Sequence, residues 1–359
     1  KMEDSYGDIM AKIRLGIIGN SDDQVDAEVD AQKFVYKLDQ AFLVDQGFKF
    51  GNMVNLLHVL CQWPYYIDDN TEKTNYSATQ DEINNVFSEI VPDINKNEIE
   101  AICKFLTLKS GDVLRVTGSD DLCDDLPVWE HRKRFARYMI RPLIENGNKF
   151  IWEPYSAAQA GKIWAGRPVE GFLPADIESP KIEKIIQLQK NEIENKLVVK
   201  TEEIIKRYTD NVVKNLKLHK IDKDGNHPIN LGDYDVFGYL QANNSILCVE
   251  CKDILPAFCM KDSKRIREKI FGRIGKSNGY VEPVKRRHEY ITKKYDRILN
   301  SLGWSFNESP RVISIFVSRY YYEWTMFPPE GIDIFFKRID LLSEFIAELN
   351  NKKDINSRL

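Results

Sequence analysis

Apolar residues in the first 125 positions are spaced as on the faces of helices. An apolar stretch at 52–63 is closed by a proline, a capping signal at 77–82 precedes apolar positions at 83–90, and a similar pattern recurs at 97–108. These spacings predict helices. The last two have the outline of a helix-turn-helix, but their segment is acidic, so we expect plain helical packing rather than DNA reading. We interpret residues 1–125 as a helical domain.

Residues 126–179 have a less regular pattern. One helix with a cationic face is predicted at 129–144. Between 152 and 174, aromatic residues are interspersed with prolines and follow no clear period. We expect these aromatic residues to pack onto a core, and a base-stacking surface is the alternative. The segment is interpreted as a connecting region.

The second half of the chain changes from a helical to a strand pattern. A long helix is predicted from Pro180 to about residue 218, after which the apolar period shortens to two residues. The predicted strands are 217–221, 229–240, 245–252, 311–318 and 331–336, and the predicted helices are 260–272, 283–300 and 341–349. The apolar run at 311–318 suits a central strand. This order predicts an α/β domain with a central mixed sheet at 180–359, in a chain of the α+β or α/β class.

Composition and charge sharpen this division of the chain. The 359 residues are 43% hydrophobic and 30% charged, which excludes a disordered or fibrous protein. The net charge of −4 conceals a split, since residues 1–128 carry 11 Lys and Arg against 24 Asp and Glu, and residues 129–359 carry a net +9. A basic half beside an acidic half indicates contact with a polyanion.

Several classes of protein are excluded at this stage. No apolar run is long enough for a membrane span, and the start of the sequence lacks the pattern of a secretory signal, so no membrane partner is expected. Six cysteines are scattered without a framework of short spacings, which is typical of reduced thiols and of a cytoplasmic protein. Cys248 and Cys251 have CxxC spacing, but on a strand their thiols face opposite ways, so a zinc site is not expected.

Two carboxylates and a lysine lie on neighbouring predicted strands. Asp235 ends the sequence Gly-Asp-Tyr-Asp on the first strand, and Glu250 and Lys252 lie on the next, where side-chain alternation places both on one face. Such charges are costly to bury unless they are paired or hold a cation. Two carboxylates and a backbone carbonyl suit Mg²⁺, which prefers oxygen ligands and keeps several waters. The lysine would then orient or deprotonate the attacking water.

This arrangement resembles the core motif of the PD-(D/E)XK nuclease superfamily, an acidic residue on one strand followed by Glu-X-Lys on the next. The resemblance covers about 180–349 and implies a restriction-endonuclease-like fold that hydrolyses phosphodiester bonds, usually of DNA, with Mg²⁺ or Mn²⁺. It implies Asp235 and Glu250 as metal ligands, the carbonyl of Cys251 as a third ligand, and Lys252 as the catalytic lysine. By analogy alone, such a nuclease would serve restriction or phage defence.

Many members of this superfamily add a glutamate from the preceding helix. Glu202 and Glu194 are both candidates, and spacing does not choose between them. We prefer Glu202 because it is closer to the hairpin. The competing interpretation of the whole motif is a hairpin at the sheet edge whose charges are simply hydrated, and the strand context, the hairpin spacing and the later apolar strand favour the nuclease site.

A basic segment follows the motif. Residues 261–297 hold 13 Lys and Arg against 5 Asp and Glu. A charged run is usually a solvated helix face, but a phosphate-binding surface is needed beside phosphate chemistry, and we favour that interpretation. The candidate nucleic-acid-binding residues are Lys264, Arg265, Arg267, Arg273, Lys276, Lys285, Arg286 and Arg287.

Two other functions remain open from the sequence. A nuclease fold without catalysis would clamp nucleic acid through the basic segment, in a salt-sensitive way that does not depend on a metal. An assembly protein would use the acidic half as a surface for a protein partner or for self-association. DNA is the expected nucleic acid, and RNA is a close variant of the same hypothesis.

Overall fold

The chain folds into two compact units, residues 1–191 and 192–359, in a computed structural model. The domain boundaries predicted from the sequence are at residues 125 and 179. The described residues are 21–69, 73–108, 138–173, 177, 179–221, 231–254, 260–273, 278–320, 322, 325–326 and 328–351. The predicted linker at 118–127 and the first part of the predicted helix at 129–144 lie outside these ranges.

The first unit combines helices with a small mixed sheet. Its helices are α1 (Ser21–Gln46), α2 (Phe50–Cys61), α3 (Trp63–Tyr66), α4 (Gln80–Ile90), α5 (Lys96–Leu106) and α6 (Pro154–Gly166). Its strands are β1 (Tyr76–Thr79), β2 (Thr107–Leu108), β3 (Leu143–Asn146) and β4 (Lys149–Trp152), in the order β1-β4-β3-β2. The β2–β3 pair is parallel, and the other two pairs are antiparallel. The expectation of a purely helical front part therefore missed β1 and β2, because strands of two to four residues are too short to show a period.

Buried tryptophans connect the strands and helices of this first unit. Trp152 and Trp164 are fully buried, and each indole N–H donates to a backbone carbonyl, that of Leu60 at 3.0 Å and that of Ile140 at 2.8 Å. Buried indoles need such an acceptor for their single donor. The expectation that the aromatic residues of 152–174 pack onto a core is confirmed for these two side chains. Residues 154–166 form a helix that was not predicted from the sequence.

The second unit is a five-stranded mixed sheet between helical layers. Its strands are β5 (Val212–Lys217), β6 (Asp233–Leu240), β7 (Ser245–Lys252), β8 (Arg311–Ser318) and β9 (Phe335–Arg338), in sequential order across the sheet. Its helices are α7 (Pro180–Lys206), which contains the boundary between the units, α8 (Leu218–Ile221), α9 (Met260–Phe271), α10 (Val281–Ser301) and α11 (Leu342–Asn351). β5, β6 and β7 pair antiparallel, whereas β7, β8 and β9 pair parallel. The predicted class of mixed α+β structure is confirmed, and β8 is a central strand as expected.

Both faces of this sheet are covered. On one face, Val249 and Cys251 of β7 pack with residues of α7 and α11, while on the other, Cys248 packs with Tyr290 and Ile291 of α10. A strand buried on both faces has an almost continuous apolar sequence, as β7 has. The two cysteines thus lie on opposite faces of the sheet, as alternation along the strand predicted.

The segment before the hairpin differs from its prediction. The long helix ends at Lys206 rather than near residue 218. Residues 212–217, which the helix prediction included, form β5. The strand predicted at 217–221 is instead the short helix α8. Val212 continues the helical spacing of the apolar residues before it. Periodicity alone therefore did not show that the chain turns at 207–211 and pairs with β6.

Within the described part of the chain, no helix is both long and apolar enough to cross a membrane. The cysteines that the structure describes, Cys61, Cys103, Cys248 and Cys251, are free thiols. Burial raises the pKa of the Cys103 and Cys248 thiols to about 12. Those two thiols are therefore protonated at neutral pH and serve as small apolar side chains.

The N-terminus of α4 provides a test of the local sequence rules. Thr79 accepts a hydrogen bond from the Glu82 N–H at 3.3 Å, and Glu82 accepts one from the Thr79 N–H at 2.7 Å, which together form a capping box. We expect Thr79→Ala to lower the free energy of unfolding by about 1 kcal/mol, because a helix N–H loses its acceptor. Urea denaturation followed by circular dichroism measures this. Ser77→Ala, on the exposed face of β1, is the control, and an equal effect of both variants would contradict the prediction.

Candidate active site

Two carboxylates face each other where the β6–β7 ladder ends. The antiparallel register runs from Leu240–Ser245 to Val236–Val249, one step short of Asp235 and Glu250. Carrying this register one step further would place Asp235 directly opposite Glu250. Like charges opposite each other disfavour pairing, which gives a physical reason for the ladder to stop here.

The contacts of the two carboxylates are different in kind. Asp235 Oδ2 accepts a hydrogen bond from the backbone N–H of Cys251 at 2.7 Å. Glu250 Oε1 lies 2.9 Å from Lys252 Nζ, and Glu250 Oε2 accepts a hydrogen bond from Nη2 of Arg287. Glu250 is therefore held by two cations, one from its own strand and one from α10. Within the described residues, Asp235 has a backbone donor and no cation at ion-pair distance.

The electrostatics of the cluster follow from burial and from these charges. Burial and then the Glu250 carboxylate raise the pKa of Asp235 to about 6, against the lowering effects of Lys252, the Cys251 N–H and Arg287. Burial lowers the pKa of Lys252, but the Glu250 and Asp235 carboxylates outweigh it and raise that pKa above its ordinary value. Lys252 is thus an ammonium group at neutral pH.

The structure brings together Asp235, Glu250 and Lys252, as the sequence predicted, and Cys251 lies between the last two. The Cys251 thiol points into the opposite core, where its Sγ lies 3.5 Å from Thr201 Oγ1. Its contribution to the site is therefore its backbone, whose N–H already binds Asp235.

The two candidate glutamates of α7 occupy different surroundings. Glu202, the residue preferred from the sequence, pairs with Lys206 at 3.0 Å and with Lys214 at 3.3 Å, and neither of those lysines contacts Asp235 or Glu250. The carboxylate of Glu194 instead contributes to the raised pKa of Lys252, so it lies within electrostatic range of the site. Glu202 is therefore held by two lysines outside the cluster, whereas Glu194 acts electrostatically on Lys252.

The predicted nucleic-acid-binding residues divide into three groups. Lys264, Arg265, Arg273 and Arg286 are exposed, and Arg267 is half-buried. Lys285 donates to the Gly331 carbonyl at 2.8 Å. Arg287 is buried in the site against Glu250, so its assignment to an exposed phosphate-binding surface does not fit the structure, and Lys276 lies outside the described residues.

The role of Arg287 was missed because the sequence analysis grouped it with its charged neighbours. A signal was present in the helical spacing, since Val284, Arg287 and Ile291 follow the three- and four-residue steps of one helix face and all three are buried. A charged residue on an apolar stripe needs a buried partner. Glu250 is that partner.

A second buried ion pair fixes the chain immediately after the site. Arg319, which follows β8, donates from Nε and Nη2 to the two carboxylate oxygens of Asp253, each at 2.9 Å. The Tyr322 hydroxyl contacts the backbone of the adjacent Ile254. Bidentate pairs of this kind are geometrically specific, so the ends of β7 and β8 are held in register beside Lys252.

The donor set at the site fits a hard divalent cation in its chemistry. Asp235 and Glu250 supply carboxylate oxygens, and Asp235 Oδ1 accepts no hydrogen bond from the described residues. Mg²⁺ is commonly held by one or two carboxylates and completes its octahedron with water. No group of three or more His, Cys, Asp or Glu side chains placed to hold a metal occurs among the described residues, so from these residues the proposed ligands are the two carboxylates and backbone carbonyls.

Asp235 gives the protein a predictable pH dependence of stability. Because the folded-state pKa, about 6, lies above the ordinary 3.8, the folded protein binds the proton more tightly than the unfolded chain, and stability falls as the pH rises from about 4 to about 6. We expect Asp235→Asn to remove this fall and to be more stable than the parent at pH 7.5 by about 1–3 kcal/mol.

Urea denaturation at pH 4.5 and pH 7.5 tests this expectation. Asp233→Asn, at an exposed carboxylate on the same strand, is the matched control and should leave the pH profile unchanged. Identical profiles for the parent and Asp235→Asn would contradict the described environment of Asp235.

Comparisons of this chain with protein-family models, with curated proteins and with solved structures found no significant match. A functional assignment therefore depends on the chain's own residues. The features that bear most directly on function are the two opposed carboxylates, the two cations that hold one of them, and the exposed basic residues of α9 and α10.

Proposed function

We propose that this protein is a metal-dependent nuclease that hydrolyses phosphodiester bonds of DNA, with a second unit of the restriction-endonuclease-like fold. The observation that carries the proposal is the convergence of Asp235, Glu250 and Lys252 at the open end of the β6–β7 ladder. A structural hairpin has no need to oppose two carboxylates at a partly buried position, because each such charge costs free energy. Such a cost is typical of functional sites.

The sheet topology supports the proposal further. The chain has α7, then the antiparallel strands β5, β6 and β7, then α9 and α10, and then β8 parallel to β7. This order agrees with the helix, hairpin and later central strand on which the resemblance to the PD-(D/E)XK superfamily was based. The elements that support the proposal therefore span most of the second unit.

The roles of the residues follow from their positions. Asp235 and Glu250 would hold a Mg²⁺ or Mn²⁺ ion, which would supply positive charge beside the scissile phosphate. Lys252 is protonated at neutral pH, because the neighbouring carboxylates raise its pKa, and it would orient the attacking water by donating a hydrogen bond. The exposed cations of α9 and α10 would bind the sugar–phosphate backbone, which gives affinity without base specificity.

Isosteric substitutions at the site test the catalytic assignment. We expect Glu250→Gln and Lys252→Met each to reduce Mg²⁺-dependent cleavage of plasmid DNA by about 100-fold or more, because each removes a charge placed at the reacting phosphate. Gel assays with Mg²⁺, with Mn²⁺ and with EDTA measure this loss on DNA, and parallel assays on RNA define the substrate.

The matched controls are Glu330→Gln and Lys217→Met, which change the same charges at exposed positions of the second unit. Circular dichroism verifies that each variant is folded. Undiminished cleavage by both site variants would contradict the site assignment. Salt-sensitive DNA binding without any cleavage by the parent protein would instead favour the non-catalytic binding module.

A further pair of variants tests which glutamate of α7 supports the site. We expect Glu194→Gln to raise the Mg²⁺ concentration for half-maximal cleavage by about three- to tenfold, since a nearby negative charge attracts the cation. Glu202→Gln should leave the Mg²⁺ dependence unchanged, because its partners are Lys206 and Lys214. A larger effect of Glu202→Gln would restore the choice made from the sequence.

A further inference from the structure

We propose that Arg287 is an internal counter-ion of Glu250 that keeps the site electroneutral in the metal-free protein, so that a divalent cation binds tightly only together with a nucleic-acid phosphate. This inference rests on the proposed function and concerns its regulation. It differs from the sequence-based assignment, in which Arg287 bound phosphate from an exposed surface.

The surroundings of Arg287 are built to hold it against Glu250. Its guanidinium lies over the ring of Tyr234, with the carbon Cζ 5.1 Å from the ring centroid, and only 6% of its side chain is exposed. Gly232 leaves room for it, since a Cβ there would lie 2.8 Å from Arg287 Nη1. A positive φ of +80° at Gly232 also favours glycine.

Electrostatic balance makes Arg287 an obstacle to a free cation. The carboxylates of Asp235 and Glu250 and the cations Lys252 and Arg287 sum to a formal charge of zero, and the Glu194 carboxylate lies beyond ion-pair distance of Lys252. One carboxylate oxygen of Glu250 is already engaged by each cation. A divalent ion that binds without nucleic acid must therefore compete with Lys252 and Arg287 for the oxygens of Glu250, in a cluster with no net negative charge to attract it. Burial of Arg287 strengthens this competition, because water screens the Arg287–Glu250 attraction only weakly there.

A phosphodiester changes this balance. It adds one negative charge beside the site and offers oxygen atoms to the entering cation, so the cation and the nucleic acid each favour the binding of the other. Linkage requires that this coupling be reciprocal. The protein would therefore bind the divalent cation only weakly in the absence of nucleic acid.

The test measures Mn²⁺ affinity rather than cleavage, by titration followed by electron paramagnetic resonance. Each protein is titrated alone and with a cleavage-resistant phosphorothioate DNA duplex. We expect the parent protein to bind Mn²⁺ at least about tenfold more tightly with DNA than without it. Arg287→Gln should bind Mn²⁺ at least about tenfold more tightly than the parent in the absence of DNA, because one positive charge has been removed beside Glu250.

Two further variants separate charge from structure. Arg287→Lys keeps the positive charge and should retain the weak DNA-free affinity of the parent. Lys293→Gln removes a charge from an exposed position of the same helix, away from Glu250, and should also match the parent without DNA. If Arg287→Gln does not fold, as judged by circular dichroism, the parent and Arg287→Lys titrations with and without DNA decide the question.

The outcomes are distinct. Equal Mn²⁺ affinity of the parent with and without DNA overturns the counter-ion role, as does weaker binding by Arg287→Gln, which would mean that Arg287 only orients Glu250. In both cases the metal site itself stands. A separate titration compares the parent with Glu250→Gln in the presence of DNA. If the two proteins bind Mn²⁺ equally, Glu250 does not hold the ion, and the proposed function is overturned together with this inference.

Discussion

The opposition of Asp235 and Glu250 across the end of the β6–β7 ladder is the constraint on which the site depends. The two like charges, one step beyond the last paired residues of the ladder, repel, and both are partly removed from water. Their compensation comes from different parts of the chain, a lysine two residues along β7, a backbone N–H, and an arginine from α10. The packing of α10 on the sheet and the glycine at 232 therefore both help to place Arg287 beside Glu250.

Much of the second unit could be predicted because its signals are local. The ends of β7 and β8 agree with their predicted bounds, and α9 and α10 agree within two residues, since long apolar or amphipathic runs are bounded by clear turns. The break between α7 and β5 could not be predicted in the same way. It depends on the pairing of Val212 with Gly238, and no local period records a pairing between residues so far apart in the chain.

The site shows the same division between local and distant information. Alternation along β7 placed Glu250 and Lys252 on one face, and the ion pair between them agrees with that prediction. The ion pair of Glu202 with Lys214 could not be predicted from distance along the chain, because the turn after α7 and the pairing of β5 carry Lys214 to Glu202. Arg287 was hidden among neighbouring cations, and only its position on the buried stripe of α10 distinguished it.

The charge pairing at the candidate site differs from that of a second ion pair in the same unit. Asp253 and Arg319, immediately beyond the site, form a bidentate pair in which each carboxylate oxygen accepts a hydrogen bond from the same guanidinium. At the site the charges are not matched in this way, since Glu250 takes two cations while Asp235 has a backbone donor alone among the described residues. Optimised stability would distribute the two cations between the two carboxylates. The uneven distribution leaves Asp235 Oδ1 without a hydrogen-bond donor among the described residues, while both oxygens of Glu250 are engaged, so the proposed cation would find its open oxygen on Asp235.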